Sequence, residues 1–155
     1  MSTTTTRPDA GTAGTKRSFG FVKISGIVIA VIGAIMFLGG AGTWLLVQNS
    51  LADERITVSE DASSNAGKEV NGPFTAYSEA MVIEKHALEA SGNKTYAELD
   101  REDPVRVTVM NGSFLRASLF TSVLAFGVSA MAMGLGFVQV LGGLALAKVG
   151  KDLDA

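Results

Sequence analysis

Hydrophobic and polar residues are sorted into long blocks along this chain. Residues Ile24 to Val47 contain no Asp, Glu, Lys or Arg, and neither do residues Ala117 to Ala147. Each block exceeds the roughly 20 apolar residues that cross a bilayer core. The first holds twelve Ile, Leu, Val and Phe residues, each worth about −0.3 to −0.6 kcal/mol on an insertion scale. Together they give about −4 to −7 kcal/mol with no buried charge in opposition, so insertion is favoured. Fewer than 70 residues separate the blocks, too few to wrap both in a soluble core. The pattern predicts a mainly α membrane protein: a two-helix transmembrane hairpin with a small α+β extracytoplasmic domain between its helices. The predicted segments are a tail at 1–22, a span at 23–48, the domain at 49–115, a span at 116–148 and a tail at 149–155.

Between the spans the periodicity is shorter. Arg55-Ile56-Thr57-Val58-Ser59 has the β-branched content of a strand, and Asp61 to Gly72 reads as loop, ending in Asn71-Gly72-Pro73. A helix fits Thr75 to Ala90, with Ala76, Ala80, Ile83 and Ala87 on one face and Gly92 as its stop. Thr95-Tyr96-Ala97-Glu98 matches a capping box and predicts a short further helix before Asp103-Pro104. Val105, Val107 and Val109 alternate as in a strand, yet Pro104 equally suits the opening of a helix that runs into the second span. The alternation favours a strand paired with Ile56 to Val58.

Charge then orients the hairpin. Arg7, Lys16, Arg17 and Lys23 precede the first span against Asp9 alone, and Lys148 and Lys151 follow the second. The middle segment carries seven bases against twelve acids. Basic flanks stay in the cytoplasm, so both termini are predicted inside and the acidic middle outside the plasma membrane. The first apolar run is also longer than the roughly 7–15 residues of a cleavable signal, which predicts an uncleaved anchor. The Thr-, Gly- and Ser-rich tail lacks the apolar surface to offset its ordering entropy and is predicted to be disordered by itself.

Within the spans the informative residues are small. Gly26, Gly33 and Gly40 are seven apart in the first, and Ser122, Ser129, Gly136 and Gly143 are seven apart in the second, with Gln139 at an intermediate position. A seven-residue repeat keeps one stripe toward a partner, and small residues let helix backbones approach closely. These eight residues are the candidate helix-packing or partner-binding set. Gly39, Gly42, Gly127, Gly134 and Gly142 lie off the stripe, a surplus that one helix pairing leaves facing outward. Gln139 is the one strongly polar side chain in the spans and predicts an interhelical hydrogen bond.

Candidate chemistry is sparse. There is no cysteine and His86 is the only histidine, so neither disulfides nor a multi-histidine metal centre are available to the chain alone. No catalytic residue, metal or cofactor is expected. Asp100, Glu102 and Asp103 are interleaved with Arg101 and Arg106 and read as a solvated loop. The acidic middle segment argues against a nucleic-acid partner.

The segments Val70 to Tyr77, Lys85 to Ala90, Thr95 to Pro104 and Asn111 to Ser122 resemble a family of small actinobacterial two-helix membrane proteins often labelled aromatic ring-opening dioxygenase-like. One histidine is too few for that chemistry. The resemblance implies instead an accessory factor of the cytochrome bcc–aa3 respiratory supercomplex, with respiratory cytochrome or oxidase subunits as partners in the lipid bilayer. A cell-envelope sensor or binding module, with the exported segment holding a ligand, is the competing expectation.

Overall fold

A computed structural model describes residues 13–153, and side chains from residue 20 onward. Three helices make up its regular structure: α1 (Ala13–Asp53), α2 (Pro73–Ala90) and α3 (Val105–Leu153). α1 and α3 are long and apolar enough to cross a membrane. Their most apolar windows are only 11% and 17% buried by the rest of the chain. A core helix of a soluble domain would be mostly covered, and here Ile24, Ile35, Leu38, Leu124 and Val138 stand exposed. So much uncovered apolar surface suits lipid or another membrane chain as its surroundings. Helix α1 starts at Ala13 rather than near Lys23, which shortens the predicted tail; the remainder of the disorder expected there falls on residues 1–12, outside the described residues.

The chain divides into two compact units, one of residues 1–38 with 132–155 and the other of residues 39–131. In the first, α1 and α3 run antiparallel. Lys23 is beside Gly150, Gly26 beside Ala147, Ala30 beside Gly143, Gly33 beside Val140 and Phe37 beside Gly136. Every step up one helix is matched by a step down the other, so the register does not slip.

The second unit is built on side chains. Leu51, Val58, Val70, Ala76, Ala80, Leu119 and Phe126 form its core, with Trp44, Ile56, Ile83 and Val123 packed against them. Trp44 meets Phe126 edge-on at 4.7 Å between ring centroids, a favoured aromatic geometry. Small Ala76 and Ala80 let α2 lie close to that core. Pro73 opens α2, where its missing N–H costs nothing, and Thr75 Oγ1 accepts the amides of Asn71 and Gly72.

The middle segment departs from the predicted α+β domain, because no strand forms among the described residues. Ile56 to Val58 pairs with Lys68 to Val70, not with Val105 to Met110. The pairing is one isolated antiparallel bridge, Thr57 with Glu69, supported by Val58 N–H to Lys68 O and Val70 N–H to Ile56 O, both 2.8 Å. Asn65 and Gly67, with φ of 59° and 69°, turn the loop between the two arms. Val105 to Met110 is the first part of α3. Pro104 precedes the helix and Asp103 Oδ1 accepts the Val105 amide at 2.9 Å, capping it. The valines sort as a helix sorts them: Val109 is buried and Val107 exposed, whereas in a strand both would share a face. Thr95 to Glu98 makes a turn in place of the predicted short helix, although Glu98 accepts both the amide and the hydroxyl of Thr95 at 2.8 Å.

Candidate functional site

The seven-residue glycine repeat is where the backbones of the first unit meet. A methyl group added at Gly26 would stand 2.5 Å from Ala147 N and 2.6 Å from Gly143 O. At Gly33 it would stand 2.7 Å from both Gln139 Cβ and Gly136 O. At Gly136 it would lie 2.5 Å from Gly33 O, and at Gly143 it would lie 2.5 Å from Ala30 N and Gly26 O. Such distances are below van der Waals contact, so only hydrogen fits at these positions. Gly150 continues the series, its added methyl 2.7 Å from Lys23 N. It is one more step of seven beyond Gly143, but it lies past the predicted end of the span at 148.

In the second unit the repeat is carried by Gly40 and by two serines, Ser122 and Ser129. Gly40 and Ser129 are buried, and Ser129 donates its hydroxyl to Ala125 O of its own helix at 2.8 Å. Ser122 is half-buried and donates to Ser118 O. With Leu46, Ser50, Glu54 and Thr121 it lines a groove of about 270 Å³. Gln139 does not make the predicted bond through its carbonyl: Oε1 is enclosed with no hydrogen-bond donor among the described residues. Close approach of the helices at Gly33 and Gly136 confines the side chain without supplying a partner.

The off-stripe glycines are in a different situation. A methyl group at Gly39, Gly42, Gly127, Gly134 or Gly142 would have no neighbour within 4 Å. These positions are open surface on apolar helices. A helix that leaves its backbone bare toward the outside presents the kind of surface to which another helix can approach closely.

Helix α2 gathers the polar contacts of the second unit and holds the loop from Ser59 to Gly67. Glu79, 8% exposed, accepts the Ser59 amide at 2.8 Å. Ser78 accepts Asn65 Nδ2 at 3.0 Å and donates to Phe74 O. Asp61 Oδ2 lies 2.8 Å from Lys85 Nζ and 2.9 Å from His86 Nε2. The hydrogen bond from Lys85, then that from His86, holds the Asp61 carboxyl down to about 2, and Asp61 in turn raises Lys85. His86 is thus one arm of a surface clamp on a loop carboxylate, a contact 25 residues apart in sequence that no local pattern announces.

On the opposite side of α2, Arg116 pairs with Glu84 at 2.8 Å, and Gly112 lets α3 approach Ala87. A cavity of about 100 Å³ lies there, lined by Glu84, Tyr96, Val109, Ser113 and Arg116 among others. Arg106 stacks over Tyr96 at 4.0 Å and donates to the Leu99 carbonyl. Of the acidic loop residues, Asp103 caps α3, and no group of three or more His, Asp or Glu side chains converges as a metal site would among the described residues. No protein-family model, no curated protein and no solved structure matches this chain.

Proposed function

We propose that the chain is a non-catalytic accessory or assembly subunit of a larger membrane complex, docking through the bare glycine positions of its two long helices. The observation that carries this reading is the division of the glycines into two sets. Gly26, Gly33, Gly136 and Gly143 are consumed by pairing within the chain, while Gly39, Gly42, Gly127, Gly134 and Gly142 have open space before them. Close backbone approach is how helices associate where lipid removes the hydrophobic drive. Both termini are assigned to the cytoplasm and α2 with its loops to the outer face by the basic flanks and acidic middle.

Respiratory cytochrome or oxidase subunits of a bcc–aa3 supercomplex are the proposed partners; their identity comes from the resemblance of Val70 to Ser122 to that accessory family. Extraction of native membranes in mild detergent, followed by a native gel and identification of co-migrating chains, tests the reading. Co-migration with cytochrome or oxidase subunits supports it, and migration alone overturns it. Gly134→Leu is expected to abolish co-migration while the purified protein keeps its helix pairing, since a Cβ at this position has no neighbour within 4 Å.

A further inference from the structure

Helix α2 is polarised along its length. From Val70 to Ile83 the only charged residue is Glu79, which is buried and holds the Ser59 amide. Glu84, Lys85, His86 and Glu89 follow in the other half. α2 also runs antiparallel to α3: Ala87 lies beside Gly112, Glu84 pairs with Arg116, and Tyr77 meets Phe120 edge-on at 5.9 Å. The charged half therefore lies beside Gly112 to Arg116, and the uncharged half beside the run that begins at Ala117. Continuing that register, Phe74 comes level with Val123 and Leu124, the turn of α3 just before Phe126, where Trp44 also packs. Phe74 is 80% exposed and Leu124 67%. The chain thus sets Tyr77, Phe74 and Trp44 in succession along α3 from Phe120 to Phe126, within about three helical turns of the charged end at Arg116.

We propose that the N-terminal end of α2, with Phe74 as its foremost side chain and Tyr77 beside it, inserts into the interfacial layer of the outer leaflet and seats the segment between the spans on the lipid surface. This rests on the membrane reading above. Aromatic rings suit that layer because they are apolar yet tolerate the nearby headgroups. Entry of this end desolvates no charge of α2 itself, since Glu79 is already enclosed, whereas Lys85 and Glu89 at the far end would resist it. A phenylalanine left in water at this level would be the most exposed aromatic residue of the unit, with lipid adjoining it.

The absence of cysteine makes the test direct. Single-cysteine variants of the full chain, Phe74→Cys, Tyr77→Cys, Glu89→Cys and Leu135→Cys, are spin-labelled and reconstituted alone into phosphatidylcholine–phosphatidylglycerol nanodiscs. Collision with oxygen, which partitions into lipid, is compared with collision with a water-soluble nickel chelate. Labels at 74 and 77 are expected to favour oxygen, as at 135, while 89 favours the chelate. Tyr77→Cys retains Phe74, so loss of the phenylalanine cannot by itself decide the result. Chelate-favoured labels at both 74 and 77 with an oxygen-favoured 135 would overturn the insertion and leave the membrane reading standing. Labels at 74 and 77 shielded from both reagents would also overturn it, by placing this end in a contact between copies of the chain. A chelate-favoured 135 would overturn the membrane reading and this inference with it.

Discussion

The two units of this protein solve the same packing problem by opposite means. In residues 39–131 large side chains fill the space between elements: Phe126 and Val58 are each 1% exposed and Val70 is fully buried. In residues 1–38 with 132–155 the space is closed by leaving side chains out, and backbone meets backbone at Gly26, Gly33, Gly136 and Gly143. The first arrangement draws on contact between large side chains, with area removed from water around Val58 and Val70; the second draws on dispersion between backbones at short range. One unit is therefore injured by removing atoms and the other by adding them.

The sharpest way to break the comparison is a deletion in the side-chain core. Phe126→Ala is expected to destabilise the protein by about 3–5 kcal/mol, read as a lower midpoint of denaturant unfolding in detergent micelles. An addition in the glycine seam comes next. Gly136→Ala places a methyl 2.5 Å from Gly33 O and is expected to cost about 1–3 kcal/mol. Its specific sign is a longer distance between labels at Ile29 and Leu144. The same addition at Gly134, where a methyl has no neighbour within 4 Å, is expected to cost no stability and to add at most about 1 kcal/mol through helix propensity. A large effect there in the isolated protein would erase the distinction between the two glycine sets.

The smallest expected effect is on the surface clamp. Because the Asp61 carboxyl is held below its ordinary 3.8 to about 2, it binds a proton more readily in the unfolded chain than in the folded one. Its contribution is therefore complete above about pH 4 and lost as pH falls toward 2. Between pH 5 and 8 Asp61 itself contributes no slope. Asp61→Asn should remove its part of the acid-induced loss, measured by following thermal unfolding as pH falls from about 4 toward 2, and the exposure of the group keeps the effect small.

Long blocks without charge were enough to read α1 and α3 from the sequence, because nothing in them competes with helix formation. The glycine spacing was equally readable, since a seven-residue repeat is a one-dimensional pattern. What the pattern could not say is which glycines meet backbone and which meet open space. That depends on the register between two helices whose contacting residues, Gly26 and Ala147, are far apart in the chain. Val105 to Met110 misled for a related reason: alternation of valines suits a strand, but helix capping by Asp103 and continuity with the second apolar run decided the outcome. The holding of the loop by Glu79, Lys85 and His86 was invisible, because each contact joins residues 20 or more apart.

The glycine repeat has a consequence for how the hairpin finds its alignment. A ruler whose marks are identical and evenly spaced can be read at several settings, and a shift of seven residues would set Gly33 against Gly143 in place of Gly136. The seam by itself thus defines spacing but not position. The set of Trp44, Leu51, Leu119 and Phe126 is carried on the same two helices. Trp44 and Leu51 are also seven apart, as are Leu119 and Phe126, but these side chains differ in size and shape, so a shift of seven would part Trp44 from Phe126 and set a leucine in its place. Weakening that set should therefore yield a misaligned protein rather than an unpaired one, a fault of indexing in which every glycine still faces a glycine and the chain is nevertheless wrong.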